Sequence, residues 1–318
     1  MDINKIYLIQ IIGVLLILLC IAIYILCDKT APMDYNYGEL IPIQENYTSD
    51  KEYYDYQEKH FKYYKKAEYD EKDIILTEVD NELIYQPANI SYYGLRLYSR
   101  YIQKGNAKDY ELAKKQADYL VETQNKENGG FYHEYEQDVK GTRITLEEPW
   151  ISSCTQGEAL SFLSRMYSVS KEEKYKEACE LALIPFTKKL SENGLCAKFL
   201  GYDFYEEFPT ENPNYFLGGF LYSLLGLYDC YTIIGNEKAK ELYDVGIKTL
   251  EICLPYYDYN GISLFNLSFM NNDRNVKVYN QEYHRNYIAL LKTLNQKENK
   301  EVFKYFVEKW EKYVIESK

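Results

Sequence analysis

The sequence predicts a mainly α-helical chain: an α/α toroid of about four antiparallel helix pairs, with short β-hairpins at one rim and one transmembrane helix ahead of it. Three observations carry this expectation. An uncharged apolar run fills residues 6 to 27, helical periodicity recurs in pairs from about residue 85 onward, and Gly- or Asn-bearing turns separate the members of each pair. With 318 residues and 46% apolar content the chain can bury a substantial core, which excludes disorder as its main state.

The run from Ile6 to Cys27 holds 22 residues without a charge. At about 1.5 Å per residue a helix of that length crosses a hydrocarbon core of about 30 Å. Tyr24-Ile25-Leu26-Cys27 offers no small-x-small cleavage site, so the run reads as an uncleaved anchor. Lys5 before it and Lys29 after it leave the orientation open by charge alone. The expected domains are an anchor with short flanks over 1–29, a polar stalk with few long-range contacts over 30–75, and a folded domain over 76–318.

The helix pairs fall at roughly 87–104 with 108–125, 151–168 with 171–190, 213–233 with 236–254, and 279–295 with 298–315. In the last of these Val302, Phe303, Phe306, Val307, Trp310, Tyr313 and Val314 recur at i, i+3, i+4, i+7 spacing, which describes one buried face. Between pairs, Gly129-Gly130-Phe131-Tyr132-His133-Glu134-Tyr135 and Gly261-Ile262-Ser263-Leu264-Phe265 alternate like short hairpin strands. Helix pairs repeated around an axis leave a concave end bounded by loops, where a long polymer could lie. A helical bundle without a cleft is the alternative.

The net charge of −12, with no basic stripe, argues against a nucleic-acid partner. The seven cysteines include no C-x-x-C pair and mostly sit in apolar helical patterns, so they read as free core residues. The 37 tyrosines exceed what a core needs. They either make a surface suited to polyhydroxylated ligands, because the ring packs on sugar faces and donates a hydrogen bond, or reflect a bias that raises Tyr, Asn, Ile and Lys together.

Three segments concentrate functional side chains. Glu148-Pro149-Trp150-Ile151-Ser152-Ser153-Cys154-Thr155-Gln156-Gly157-Glu158-Ala159 places polar groups at a helix start. Tyr205-Glu206-Glu207-Phe208-Pro209-Thr210 leads through Asn212-Pro213-Asn214 into the apolar run Tyr215 to Asp229, and Tyr283-His284-Arg285-Asn286 opens a further helix. Together with Ser91-Tyr92-Tyr93-Gly94-Leu95, these resemble the C-terminal domain of the D-glucuronyl C5-epimerases, from about Pro87 to Trp310. Only some 35 residues separate Leu95 from Gly129, so the β-rich domain that the family's animal members carry there is missing, and the chain resembles the shorter microbial form.

The resemblance implies an isomerase that inverts C5 of glucuronic acid within a polysaccharide, with no cofactor and no metal. That chemistry removes a proton α to a carboxylate and returns one to the opposite face, so it needs two acid/base groups and donors for the developing charge. The resemblance places the catalytic groups at Glu207 with Phe208, at Phe265, and at Tyr283 with His284; two of its three tyrosines are thus phenylalanine here. Either Glu207 and Tyr283 remain the proton carriers with His284 or Arg285 meeting the carboxylate, or a nearby phenol (Tyr205, Tyr215 or Tyr257) has taken over, or the protein binds glycan without turnover. Expected substrate-binding residues are Arg285, Asn286, Tyr205, Glu206, Trp150, Gln156, Tyr132 and Arg143.

Each has a plain structural alternative: Glu206 and Glu207 as helix caps, Tyr283 and His133 as core rings, Trp150 as a wedge at a helix start, Arg143 and Arg285 in surface ion pairs. A lyase is a close chemical alternative, since the same C5 carbanion can expel the 4-O substituent; a membrane-tethered helical protein without ligand is another. The negative net charge favours an unsulfated, glucuronate-bearing polymer. The carbohydrate reading places the domain on the extracytoplasmic or lumenal side, and a homodimer is the default assembly.

Overall fold

A computed structural model describes residues 38–139, 142–271, 276, 278 and 280–316. The periodic segments form eight helices in four hairpins: α1 (Pro87–Lys104) with α2 (Ala107–Thr123), α3 (Ser153–Ser170) with α4 (Glu173–Ala182), α5 (Leu217–Ile234) with α6 (Glu237–Cys253), and α7 (Gln281–Glu298) with α8 (Glu301–Glu316). Two-residue turns join each pair, which makes its members antiparallel. Their chemistry is visible in the sequence: Gly105, Lys171, Gly235 and Asn299 close the first members in left-handed conformation, and the Asn106 and Asn236 side chains cap α2 and α6.

The first members of the pairs form the inner wall, α1 on α3, α3 on α5 and α5 on α7. The tightest crossing is between α3 and α5. A Cβ on Gly226 would stand 2.1 Å from the Gly157 carbonyl oxygen, so only glycine admits this approach. α5 is long and apolar enough to cross a membrane, yet two thirds of it is buried inside the fold, as a core helix requires. The expected anchor at Ile6 to Cys27 lies outside the described residues.

Every connection from an outer helix to the next inner one lies at the end where the inner helices begin. The antiparallel strand pairs gather there: β1 (Thr77–Val79) with β2 (Glu82–Ile84), β3 (Gln137–Asp138) with β4 (Thr145–Leu146), β5 (Cys196–Phe199) with β6 (Tyr202–Tyr205), and β7 (Asp258–Tyr259) with β8 (Ile262–Ser263). The expected strand at 129–135 is a single bridge, His133 to Trp150, with its hairpin a few residues later. The hairpins at 77–84 and 196–205 carry no clear alternation in the sequence. Cys154, Cys179, Cys196, Cys230 and Cys253 are free thiols; Cys179, Cys230 and Cys253 are buried as expected of core residues, whereas Cys154 and Cys196 are half-buried.

The expected stalk is the main correction. Residues 38–75 pack along the helices, filling the gap between α1 and α7. Tyr47, Tyr53, Tyr54 and Asp55 are buried. The Tyr53 amide donates to Ser99 on α1 (2.9 Å) and the Tyr54 hydroxyl to Asn286 on α7 (2.7 Å). Asp55 pairs with Arg96 on α1 (2.5 Å). Tyr47 donates to Asp229 on α5 (2.9 Å), whose carboxylate also receives Arg165 (2.6 Å) and Ser161 (2.7 Å) from α3. Tyrosines clustered among charged residues show no helical or strand periodicity, so this strap was not legible as a packed element.

Candidate active site

The candidate site is built from the first turns of the four inner helices. Ala88, Asn89 and Tyr92 of α1, Cys154 and Glu158 of α3, Gly218 and Tyr222 of α5, and Tyr283, Asn286 and Tyr287 of α7 line one cavity of about 320 Å³, completed by Gln86, Glu207 and Phe265. The i, i+4 spacing within each helix puts these side chains on one face. Four helix N-termini therefore converge on the cavity, and their macrodipoles favour negative charge inside it.

Glu207 reaches the cavity from the loop after β6. Its Oε2 accepts from the Gly219 amide (2.8 Å) in the first turn of α5. A Cβ on Gly219 would stand 2.4 Å from the Glu207 Cβ, so the Gly218-Gly219 step is what lets the carboxylate settle at the helix start. A Cβ on Gly218 would stand 3.4 Å from both Glu207 Oε2 and the Tyr287 hydroxyl, which places those two groups on the same side of the cavity. The Tyr287 hydroxyl is buried and has no partner among the described residues. Burial, then the charge of Glu207, hold that phenol protonated well above its ordinary range. The Tyr283 ring lies between Phe265 (4.5 Å) and Tyr287 (6.4 Å).

A second carboxyl group shares the space. Glu158 is 6% exposed, and burial, with Glu207 and Asp55 nearby, pushes its pKa well up. The two carboxyl groups face one cavity, and burial favours the neutral form of Glu158. The remaining polar atoms are ordered: Asn286 accepts from Tyr54 (2.7 Å) and donates to the Tyr222 hydroxyl (2.8 Å), while Tyr92 donates to Asp55 (3.2 Å) and accepts from Arg96. Among the described residues the lining holds no cation. A wider basin of about 950 Å³ shares Asn89, Tyr92, Tyr222, Tyr283 and Asn286 with the cavity and carries Lys59, His60 and Arg285. Among the described residues no cluster of His, Cys, Asp and Glu is arranged to hold a metal ion.

Of the residues expected from the sequence, Glu207, Tyr283 and Asn286 line the cavity, and Arg285 lines the basin, donating to the Glu39 carbonyl (3.0 Å). His284 does not join them. Its Nδ1 accepts from the Ser263 amide (2.9 Å) and its Nε2 donates to the Trp310 carbonyl (3.3 Å), so it ties β8 to α8 as a neutral ring, with its pKa lowered to about 4 by burial. Adjacent helical residues point about 100° apart, so Tyr283 and His284 cannot share a face.

Gln156 is buried, accepting from the Phe131 amide (2.7 Å) and donating to the carbonyls of Gly129 (3.1 Å) and Ala182 (3.0 Å). Trp150 stacks on His133 (4.1 Å) and donates to the Tyr135 carbonyl (2.8 Å); it is the wedge at the start of α3. Tyr205 donates to the Leu242 carbonyl (2.7 Å). Glu206 is buried with its pKa raised to about 8, chiefly by burial, and accepts from the Tyr215 amide (2.8 Å). That bond helps hold Tyr215 at φ +55°, a left-handed conformation disfavoured for tyrosine.

Tyr132 accepts from Asn128 (2.8 Å) within its own loop, and Arg143 is exposed between β3 and β4; neither lines the cavity. The substitute phenols Tyr215 and Tyr257 donate to the carbonyls of Lys198 (2.8 Å) and Tyr215 (2.7 Å) and are structural. Phe208 packs on Trp150 and Phe216, whereas Phe265 lines the cavity. Glu158, Tyr222 and Tyr287 were missed. The i+3, i+4 relation to Tyr283 is the signal that would have found Tyr287 beside Asn286.

The family model for the D-glucuronyl C5-epimerase C-terminus matches residues 124–312. The chain is 31% identical over 206 residues to the D-glucuronyl C5-epimerase of Caenorhabditis elegans, an alignment that covers 61% of this chain and 33% of that protein. It is 31% identical over 117 residues to an uncharacterized protein of Methanocaldococcus jannaschii, covering 36% of this chain and 38% of that one. The chain thus matches 33% and 38% of the length of these two relatives. Among solved structures, cellobiose 2-epimerase from Bacillus thermoamylovorans superimposes with a TM-score of 0.58 at 13% identity, over 80% of this chain and 68% of that one, a likeness of fold. The family model spans more than half of the 318 residues, and by that match the chain belongs to the D-glucuronyl C5-epimerase C-terminal family.

Proposed function

We propose that this chain is a carbohydrate epimerase that inverts C5 of glucuronic acid residues in an unsulfated polysaccharide. The observation that carries the reading is Glu207: a carboxylate at the start of α5, opening into a cavity that also holds the Tyr283 and Tyr287 phenols. Glu207 takes the C5 proton and the electron pair left behind spreads onto the sugar carboxylate. A phenol on the other face of the ring, assigned to Tyr283, returns a proton. Membership in the family and the four convergent helix N-termini support this assignment. The basin beside the cavity gives neighbouring sugars room, and Arg285 and Lys59 offer cations to an adjacent uronate. The segment Ile6 to Cys27 is read as a membrane anchor that holds the domain on the extracytoplasmic side.

A glycan-binding protein without turnover is the second reading. It is favoured by Phe265, which presents a phenyl ring to the cavity where the resemblance implies a phenol. The test is incubation with unsulfated glucuronic acid polymers in deuterated water. Deuterium at C5 without near-ultraviolet absorbance supports epimerisation, and absorbance from an unsaturated product would reassign the chain as a lyase. Binding with no exchange from any polymer would favour the second reading.

A further inference from the structure

Among the described residues the cavity lining has no cation, yet the proposed substrate brings a carboxylate into it and its reaction adds a second negative charge there. Glu158 resolves the mismatch. It sits one turn into α3, nine-tenths buried, lines the cavity, and its carboxyl group makes no hydrogen bond among the described residues. The charged and titratable groups around it are Glu207 from the loop before α5, Asp55, Tyr53 and Tyr64 from the strap, Arg96 of α1, Tyr222 of α5, and Cys154 one turn back on α3. Arg96, the one cation among them, is fully buried; its Nη2 bonds Asp55 and Tyr92, and its Nε and Nη1, unpartnered among the described residues, make no hydrogen bond to Glu158. An ionised carboxylate in this position would be unpaired and would face Glu207. Its stable form is the neutral acid, which carries one O–H donor that no protein group takes up.

Resting on the reading above, we propose that Glu158 is a neutral carboxylic acid that donates its O–H to the carboxyl group of the sugar undergoing reaction. It thereby selects uronic acids over neutral sugars. As Glu207 removes the C5 proton, the C–H electron pair forms a C5=C6 bond and both C6 oxygens become negative. The Glu158 hydrogen bond strengthens with that charge, as a donor fixed in a dry site does. When the phenol protonates C5, the electron pair returns and the bond relaxes. The proton on Glu207 then passes to the phenolate through solvent, and Glu158 ends the cycle as it began.

The test uses the full chain with an unsulfated glucuronic acid–N-acetylglucosamine polymer and the same polymer with its carboxyl groups reduced. Glu158→Gln keeps an N–H donor and cannot titrate. It should exchange C5 hydrogen within about threefold of the unaltered chain at pH 6 and lose less rate towards pH 9, while Glu158→Ala should fall about 100-fold. Binding is the second readout. The unaltered chain should prefer the uronate polymer over its reduced form, Glu158→Gln should keep that preference, and Glu158→Ala should lose it. Glu158→Gln as inactive as Glu158→Ala would make Glu158 a proton carrier and overturn the proposal, as would an unchanged preference in Glu158→Ala. Absence of exchange in the unaltered chain, with a Glu158-dependent preference intact, would overturn the epimerase reading and leave the recognition role standing.

Discussion

Asp229→Asn should be among the most damaging single changes outside the cavity. The Asp229 carboxylate is fully buried and takes Arg165 at 2.6 Å, Ser161 at 2.7 Å and the Tyr47 hydroxyl at 2.9 Å. Removing its charge leaves the Arg165 guanidinium, also fully buried, with only neutral acceptors, among them the Ser161 carbonyl at 2.8 Å. Stranding one member of a buried pair costs about 3–5 kcal/mol. At roughly 2–4 °C per kcal/mol for a domain of this size, the melting temperature should fall by roughly 6–20 °C. Circular dichroism during heating of a 38–318 fragment measures it, with a urea series for the free energy. Burial predicts that the loss barely changes between low and high salt. Replacing both partners, Arg165→Met with Asp229→Leu, should recover much of it, since no charge is then left unpaired. A loss under about 1 kcal/mol for Asp229→Asn, or one that high salt abolishes, would refute the assignment of this pair as the joint between strap and helices.

Further predictions concern the strap, the buried histidine and the cavity wall. A fragment starting at residue 76 should populate partly unfolded states and aggregate, because it lacks Tyr47, Tyr53, Tyr54 and Asp55, whereas a fragment starting at 38 should unfold cooperatively; denaturant titration separates the two. His284 has its pKa lowered from 6.5 to about 4, so the unfolded chain binds the extra proton between those values. Its contribution is therefore present above about pH 6.5 and lost as pH falls through about 4, up to roughly 3 kcal/mol, and His284→Gln should flatten that part of the stability profile. Glu206 has the opposite sign: its pKa is raised from 4.5 to about 8, so its contribution is full below about pH 4.5 and lost as pH rises through about 8, and Glu206→Gln should remove that loss. Phe265→Tyr adds a hydroxyl to the cavity lining beside Tyr283 and should raise C5 exchange in a weak epimerase while leaving a pure binder unchanged.

The helical pairs were legible because the outer helices bury one stripe, while the central inner helices α3 and α5 are buried almost all round and read as apolar runs between turn signals. In α8 the buried set is Phe303, Phe306, Val307, Trp310 and Val314, spaced as periodicity requires. The strap was not, since its buried residues, mostly tyrosines, follow no helical or strand period and have partners up to 249 positions away. In the site, motif reading found Glu207 and Tyr283 but treated neighbours in sequence as neighbours in space. That brought in His284, Glu206 and Gln156, whose side chains turn into the protein, and passed over Tyr287, Tyr222 and Glu158, which share faces with residues three or four positions away. Helical phase, applied to the first turns of the four inner helices, recovers most of the lining.

The central claim is that Glu207 moves the C5 proton. Its most direct test compares the unaltered chain with Glu207→Gln for C5 deuterium incorporation into an unsulfated glucuronic acid polymer, with polymer binding measured on both. Gln retains an oxygen acceptor for the Gly219 amide and the shape of the side chain but has no basic carboxylate. The account predicts binding within a few-fold of the unaltered chain and exchange reduced at least about 100-fold. Exchange that survives in Glu207→Gln at an undiminished rate would contradict it and move the base to another residue of the cavity.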